Sequence, residues 1–189
     1  MTINNIWQGK LVRLRGVELE DWEVLYTWSL DTELDQLTSS MVFPPSKEYY
    51  KKWTAELAAK DPTASPDFRW MIEDNAGEVV GTINSHSCDT RHGTFGYGLG
   101  INRPHWRKGY ATEAIWLVLR FFFHELGYQK VNVAVFSFNE GSLALHRKLG
   151  FVEEGCRRRM IYTEGRYHDE YLFGMTREEF ESNANFDRG

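Results

Sequence analysis

Apolar residues recur along the chain in two rhythms, and the switches between them mark the elements. Leu11, Val12 and Leu14 before Gly16 read as a first strand over 10–15. Trp22, Leu25 and Trp28 then recur at helical spacing, with Glu18, Glu20, Asp21 and Glu23 crowded where the helix dipole favours acid. A second helix is predicted after Pro44 and Pro45, capped by Ser46, with Tyr49, Trp53 and Leu57 on one face. Strand-like runs at 68–73 and 78–85 flank Asp74, Asn75, Ala76 and Gly77, a hairpin signal, and a second hairpin turns at 90–93.

The next strand, TFGYGLGI, alternates sharply: Phe95, Tyr97, Leu99 and Ile101 share one face, and Thr94, Gly96, Gly98 and Gly100 the other. Three glycines on one face of a strand imply a bulge or the close approach of another backbone, a helix or a ligand. A long helix follows Gly109, with Ala111, Ile115, Val118, Phe122 and Leu126 on one stripe, widened by Ala114, Leu117 and Phe121, and it closes at Gly127. With only Glu113, Arg120 and His124 polar on it, that helix must be covered on most sides. A strand over 130–135, a short helix over 139–149, and strands over 151–163 and 167–175 complete the pattern. The order β, α, α, β, β, β, α, β, α, β, β predicts a mixed sheet with helices on its faces, one α+β (mixed α/β) domain.

Composition narrows the classes. A chain of 189 residues suits one domain, here 1–189 with its core at 10–181 and a frayed tail at 182–189. A hydrophobic content of 42% with seven Trp and twelve Phe excludes general disorder, and no apolar run reaches membrane-spanning length. The first residues carry no secretory pattern, and Cys88 and Cys156 form neither a disulfide framework nor a zinc site, so a reducing cytoplasm is expected, with no metal. A net charge of -5 disfavours nucleic acid and favours a cationic partner.

Two stretches carry candidate chemistry. Arg103, His105, Arg107 and Lys108 form a basic loop that turns at Gly109 into the long helix. Unpaired N–H groups and the dipole at a helix N-terminus stabilise a phosphate, and glycine permits close approach. An ordinary junction with solvated charges remains the alternative. The second stretch, Asn139-Glu-Gly-Ser142-Leu-Ala-Leu-His146-Arg-Lys-Leu-Gly150-Phe151, opens the short helix. Asn139 and Ser142 can simply cap it. Ser142, Leu145, His146 and Leu149 share a face, so His146 reads first as a satisfied core residue.

Taken together, the two motifs resemble the acetyl-CoA-binding half of the GCN5-related N-acetyltransferases. The opening LVRLRGVELEDWEVLYTW, the segment from His105 to Ala114, and the ending GFVEEG with EGRYHDEYLFGM resemble the subgroup containing ribosomal-protein N-terminal and spermidine acetyltransferases. The resemblance covers about 10–180 and departs from the general family pattern at Trp106. It implies a mostly antiparallel, twisted sheet of about seven strands with helices on both faces. Strands four and five would diverge to hold acetyl-CoA, the co-substrate. Backbone N–H groups of Arg107, Lys108, Gly109, Tyr110 and Ala111 would hold the pyrophosphate, with Thr112 closing the turn. The pantetheine arm would run beside the strand ending at Leu99 and Ile101 and meet Asn139 and Ser142. The family tyrosine that protonates the departing thiolate falls on His146, with Ser142 as the rival donor.

The implied reaction is direct attack of a primary amine, on a polyamine-like small molecule or a protein N-terminus, on the thioester in a ternary complex. A primary ammonium with a pKa of about 10.4 is neutral in only about one part in 2,500 at pH 7, a deprotonation cost of about 4.6 kcal/mol. His86, Asp89, Tyr97, His168, Asp169 and Glu170 are each open as the proton acceptor, as is a water chain. The acids Glu18, Glu20, Asp21, Glu23, Asp31, Glu33 and Asp35 would attract a cationic amine or are a solvated helix face. A homodimer is compatible with the resemblance. The rival class is a non-catalytic acyl-CoA-binding or regulatory module. An NTPase is weaker, because the loop lacks G-x-x-x-x-G-K-[ST].

Overall fold

The computed structural model of the chain describes residues 5–38 and 43–184. β1 (Val12–Gly16) leads through a 3-10 turn at Leu19–Asp21 into α1 (Trp22–Trp28), α2 (Thr32–Thr38) and α3 (Lys47–Ala58). Then come β2 (Arg69–Asp74), β3 (Val79–Asp89), β4 (Thr94–Ile101), α4 (Tyr110–Arg120) and β5 (Lys130–Phe136). The chain finishes with α5 (Glu140–Lys148), β6 (Val152–Thr163), β7 (Arg166–Thr176) and α6 (Arg177–Glu181). Seven strands form one sheet in the order β1-β2-β3-β4-β5-β7-β6, the α+β arrangement the element order predicts.

Neighbours β1–β2, β2–β3, β5–β7 and β6–β7 run antiparallel, whereas β4 and β5 run parallel. The parallel ladder joins Thr94, Phe95 and Gly96 to Lys130, Val131 and Asn132, and both strands continue past it. Positive φ at Glu164 and Gly165 makes the two-residue turn that joins β6 to β7, because turns of this hand match the twist of the strands.

Two helices lie outside the expected order. α2, TELDQLT, has only Leu34 and Leu37 as apolar residues, too few to register a helical period. α6 had a usable signal: Thr176 and Glu179 form a reciprocal capping box, with Thr176 N–H donating to the Glu179 carboxylate at 2.8 Å. Of the tail expected at 182–189, Ser182 Oγ donates to the Glu178 carbonyl at 2.9 Å and Asn183 Nδ2 to the Leu149 carbonyl at 2.6 Å. Residues 185–189 lie outside the described residues, among which no helix is long and apolar enough to cross a membrane.

The chain divides into two compact units, Met1–His86 with Gly98–Leu117, and Ser87–Tyr97 with Val118–Gly189. In the first, Trp28 of α1 and Trp53 and Leu57 of α3 pack on Val17, Leu25 and Met71. Beside this core Arg15 grips Asp21 with two hydrogen bonds of 2.7 and 2.8 Å and also binds Glu73, which in turn binds Arg13. Burial acts to raise the Glu73 pKa, but the hydrogen bonds and charges of Arg15 and Arg13 hold it below the usual range. In the second unit Phe95 stacks on Phe122 at 4.0 Å, with Phe123 and Tyr128 edge-on. Past Arg120 the α4 backbone widens into a π turn, Phe121–Glu125, in which Leu126 N–H reaches back to the Phe121 carbonyl at 3.1 Å. Gly127, at φ 71, ends it.

Candidate active site

In the first unit the functional residues gather where β4 ends and α4 begins. Ile101 is buried and Leu99 half-buried. The bare side of β4 is explained in part: a Cβ on Gly98 would lie 3.0 Å from Asn84 Oδ1, which occupies the space that a side chain would fill, whereas one on Gly100 would meet Thr38 Cγ2 at an ordinary 3.8 Å. The constraint at Gly100 is on its neighbour instead, since a Cβ on Gly81 of β3 would lie 2.4 Å from the Gly100 carbonyl.

Trp106, the departure from the family pattern, has a definite task. Its indole N–H donates to the Ile101 carbonyl at 2.5 Å, tying the following loop to the last residue of the strand. The Arg103 guanidinium lies over the indole ring at 5.4 Å and binds both Asp31 and Glu33, the latter at 2.9 Å. The hydrogen bond from Arg103 holds the Asp31 carboxyl below its usual pKa. Part of the acidic run proposed to attract a cation is thus neutralised within the protein, as Asp21 is by Arg15.

Past Trp106 the backbone takes two left-handed steps, Arg107 at φ 63 and Gly109 at φ 86. Left-handed residues are uncommon outside glycine, and alternation of hand turns successive N–H groups into an anion-binding concavity. A Cβ on Gly109 would sit 3.1 Å from Leu11 Cδ1 in a backbone conformation that L side chains rarely adopt. The Gly109 carbonyl accepts from Glu113 N–H at 3.2 Å and so marks the start of α4. Glycine has no side chain with which to cap, so it leaves the first-turn N–H groups of Tyr110, Ala111 and Thr112 without an N-cap acceptor, the arrangement that suits an anion. The acid of this turn, Glu113, is 2% exposed and turned away; it accepts the N–H groups of Lys10, Leu11 and Val12 at 3.0, 2.6 and 2.7 Å. Arg107 and Lys108 are exposed. These features fit a pyrophosphate.

In the second unit α5 begins differently. Asn139 Oδ1 accepts from Ser142 N–H at 3.0 Å, and the Asn139 carbonyl accepts from Leu143 N–H at 3.0 Å, so the capping role open in the sequence is filled. Ser142 is half-buried, and His146 is 3% exposed. The His146 ring lies among Tyr97, Phe151 and Phe173, with centroids 5.9, 5.1 and 5.8 Å away. Its Nδ1 is 2.8 Å from the Ser142 carbonyl oxygen and 3.3 Å from Ser142 Oγ, and its Nε2 is 2.8 Å from the Tyr97 hydroxyl. Burial lowers the His146 pKa, opposed by the hydrogen bond to the Ser142 backbone, and burial pushes the Tyr97 phenol well above its usual value. Imidazole and phenol are therefore both neutral at pH 7. Tyr97 was one of several proton-acceptor candidates in the sequence; its pairing with His146 was not legible there. The available signals were its place on the bulky face of the strand and the i, i+4 spacing from Ser142 to His146 that brings Nδ1 to a carbonyl.

The other acids weighed as proton acceptors have local partners. Asp89 accepts the N–H groups of Arg91 and His92 at 2.9 Å in the β3–β4 turn. Asp169 accepts from Arg159 N–H at 2.8 Å, and Glu170, 7% exposed, pairs with Arg157. His168 packs edge-on against Phe138 at 4.8 Å. Arg159 is exposed and lies over the Tyr167 ring at 4.8 Å.

Residues 12–152 match the profile described as Acetyltransferase (GNAT) domain. The chain is 45% identical over 177 residues to the SPbeta prophage-derived uncharacterized N-acetyltransferase YokL of Bacillus subtilis (strain 168), covering 94% of this chain and 96% of that protein. It is 27% identical over 114 residues to the spermidine N(1)-acetyltransferase of Vibrio cholerae, covering 60% and 66% of the two chains. Its fold is similar to the crystal structure of spermidine N-acetyltransferase from Vibrio cholerae in complex with CoA and spermine, with a TM-score of 0.79 at 19% identity over 92% of this chain and 100% of that one.

Proposed function

The chain belongs to the GNAT acetyltransferase family, and from that membership we propose that it moves the acetyl group of acetyl-CoA to a primary amine by direct attack in a ternary complex. The observation that carries the site assignment is the pair of left-handed residues, Arg107 and Gly109, at the uncapped head of α4. The N–H groups of Arg107, Lys108, Gly109, Tyr110 and Ala111 hold the pyrophosphate, Thr112 closes the turn, and Asn139 and Ser142 contact the pantetheine. Acetyl-CoA supplies the activated thioester. A backbone N–H near Leu99 and Ile101 stabilises charge on its carbonyl oxygen, and the Ser142 hydroxyl gives its proton to the departing sulfur. Between the two donors weighed in the sequence, Ser142 is favoured because both nitrogens of His146 are already engaged.

The acceptor is a small polyamine-like amine or a protein N-terminus. Asp31 and Glu33 are bound to Arg103, which weakens long-range attraction of a polycation by this part of the chain. The test is release of free thiol from acetyl-CoA by the purified protein with polyamines, N-terminal peptides, amino acids and aminoglycosides. Amine-dependent release supports acetyl transfer. Tight CoA binding with no transfer to any amine would instead support the non-catalytic acyl-CoA-binding module.

A further inference from the structure

We infer that Tyr97 and His146 are positioning residues that fix the direction in which the Ser142 hydroxyl donates, an inference that rests on the acetyl-transfer reading above.

A carbonyl oxygen can only accept, so the 2.8 Å contact between the Ser142 carbonyl and His146 requires the hydrogen to sit on Nδ1. The ring is neutral, which leaves Nε2 bare, and at 2.8 Å the Tyr97 hydroxyl must be the donor to it. The carbonyl contact alone selects this tautomer; the Tyr97 hydroxyl, able to donate or accept, then donates to the bare Nε2 and holds the ring in place. Ser142 Oγ, 3.3 Å from the same Nδ1–H, can act toward the imidazole only as a weak acceptor. Its own hydrogen is then excluded from the histidine and is free to donate away from it. In the opposite tautomer Nδ1 would carry a lone pair. It would repel the Ser142 carbonyl and draw the serine hydrogen inward, removing the donor that the leaving sulfur needs. Tyr97, buried at 4% exposure on β4, thus anchors the ring of His146, whose Nδ1–H faces the Ser142 hydroxyl on α5. No proton need leave Tyr97 or His146, which suits a phenol whose burial disfavours its anion. In the transfer step the neutral amine, its ammonium proton already lost to water, forms the nitrogen–acyl carbon bond as the carbon–sulfur bond breaks; the sulfur takes the Ser142 hydrogen, and the proton lost from the nitrogen returns through water to the Ser142 oxygen.

The test combines a spectroscopic and a kinetic reading. In the intact protein with histidine labelled by 15N, His146 is expected as the Nδ1–H tautomer, and Tyr97→Phe is expected to keep that tautomer while moving the Nε2 resonance to that of an acceptor without a donor. At saturating acetyl-CoA and amine, Ser142→Ala is expected to lower kcat about 100-fold, in the range of general acid catalysis. Tyr97→Phe should lower it about 10-fold with KM for acetyl-CoA changed less than about twofold, and should have almost no further effect in the Ser142→Ala background, the signature of coupled residues. His146→Asn, whose amide can replace the Nδ1–H donor, should retain more turnover than His146→Gln, which places its amide toward Tyr97. An Nε2–H tautomer in the wild type, an undiminished kcat in Ser142→Ala, or equal losses from Tyr97→Phe in both backgrounds would each overturn the inference. Wild type that transfers acetyl to no amine would instead overturn the acetyl-transfer reading, and the tautomer measurement would still decide whether the lock exists.

Discussion

At the head of α4 stands a glycine at φ 86, where α5 has Asn139. Both helices leave the same unsatisfied N–H groups at their start, as any helix must, yet the two ends dispose of them in opposite ways. Asn139 turns its side chain back and satisfies Ser142 N–H internally, so α5 presents side chains, with Ser142 and His146 at its start and on its inner face. Gly109 offers nothing, and the one first-turn acid of α4 is committed to the backbone of residues 10–12, so α4 presents backbone. An uncapped helix N-terminus beside Arg107 and Lys108 is suited to an anion, while the capped one fixes the backbone that carries the Ser142 hydroxyl.

The contrast is most severely tested by Gly109→Val. A β-branched side chain at that φ strains the turn by roughly 1–3 kcal/mol and displaces the N–H groups, so CoA affinity should fall on the order of 100-fold by calorimetry. Unchanged affinity would remove the α4 assignment. Asn139→Ala should act on stability first, costing about 1 kcal/mol and lowering Tm by about 2–4 °C, with a smaller loss of CoA affinity than at Gly109. Arg107→Gly should raise stability by roughly 0.5–1 kcal/mol, because a left-handed non-glycine residue is relieved, while weakening CoA by a few fold. A Tm that falls instead would mean that the arginine side chain, not the loop's handedness, matters there.

The smallest expected effect concerns pH. Burial sets the folded pKa of His146 below its ordinary value of 6.5, so the unfolded chain binds the proton more readily. The stability from neutral His146 is complete above the unfolded pKa and is lost as pH falls below about 6.5 toward the folded value. Between pH 7.5 and 5.5 the Tm of the wild type should therefore drop more than that of His146→Asn. Parallel curves would contradict the neutral buried imidazole.

How legible this was depended on the range of the interactions. The seven strands and the helices containing Trp22, Trp53, Ile115 and Leu143 follow from local periodicity, because each buries a face whose spacing is written in consecutive residues. α2 escaped because two leucines among acids and threonines give almost no stripe. At the site, Gly109 could be singled out from its place before an apolar helix, but the left-handed Arg107 could not, since nothing in an arginine forecasts positive φ. The task of Trp106 depends on a carbonyl five residues back, and the engagement of His146 depends on Tyr97, 49 residues away. Such pairings arise only once the sheet and its helices have assembled.

The most direct measurement is an amide NMR titration of the protein with CoA and, separately, with pantetheine, which lacks the pyrophosphate. The account predicts that CoA moves the Gly109, Tyr110, Ala111 and Thr112 amides most, that pantetheine leaves them nearly unmoved, and that the capped Ser142 amide responds little to the pyrophosphate. If CoA and pantetheine shift the 109–112 amides alike, or CoA does not shift them at all, the head of α4 is not the phosphate cradle.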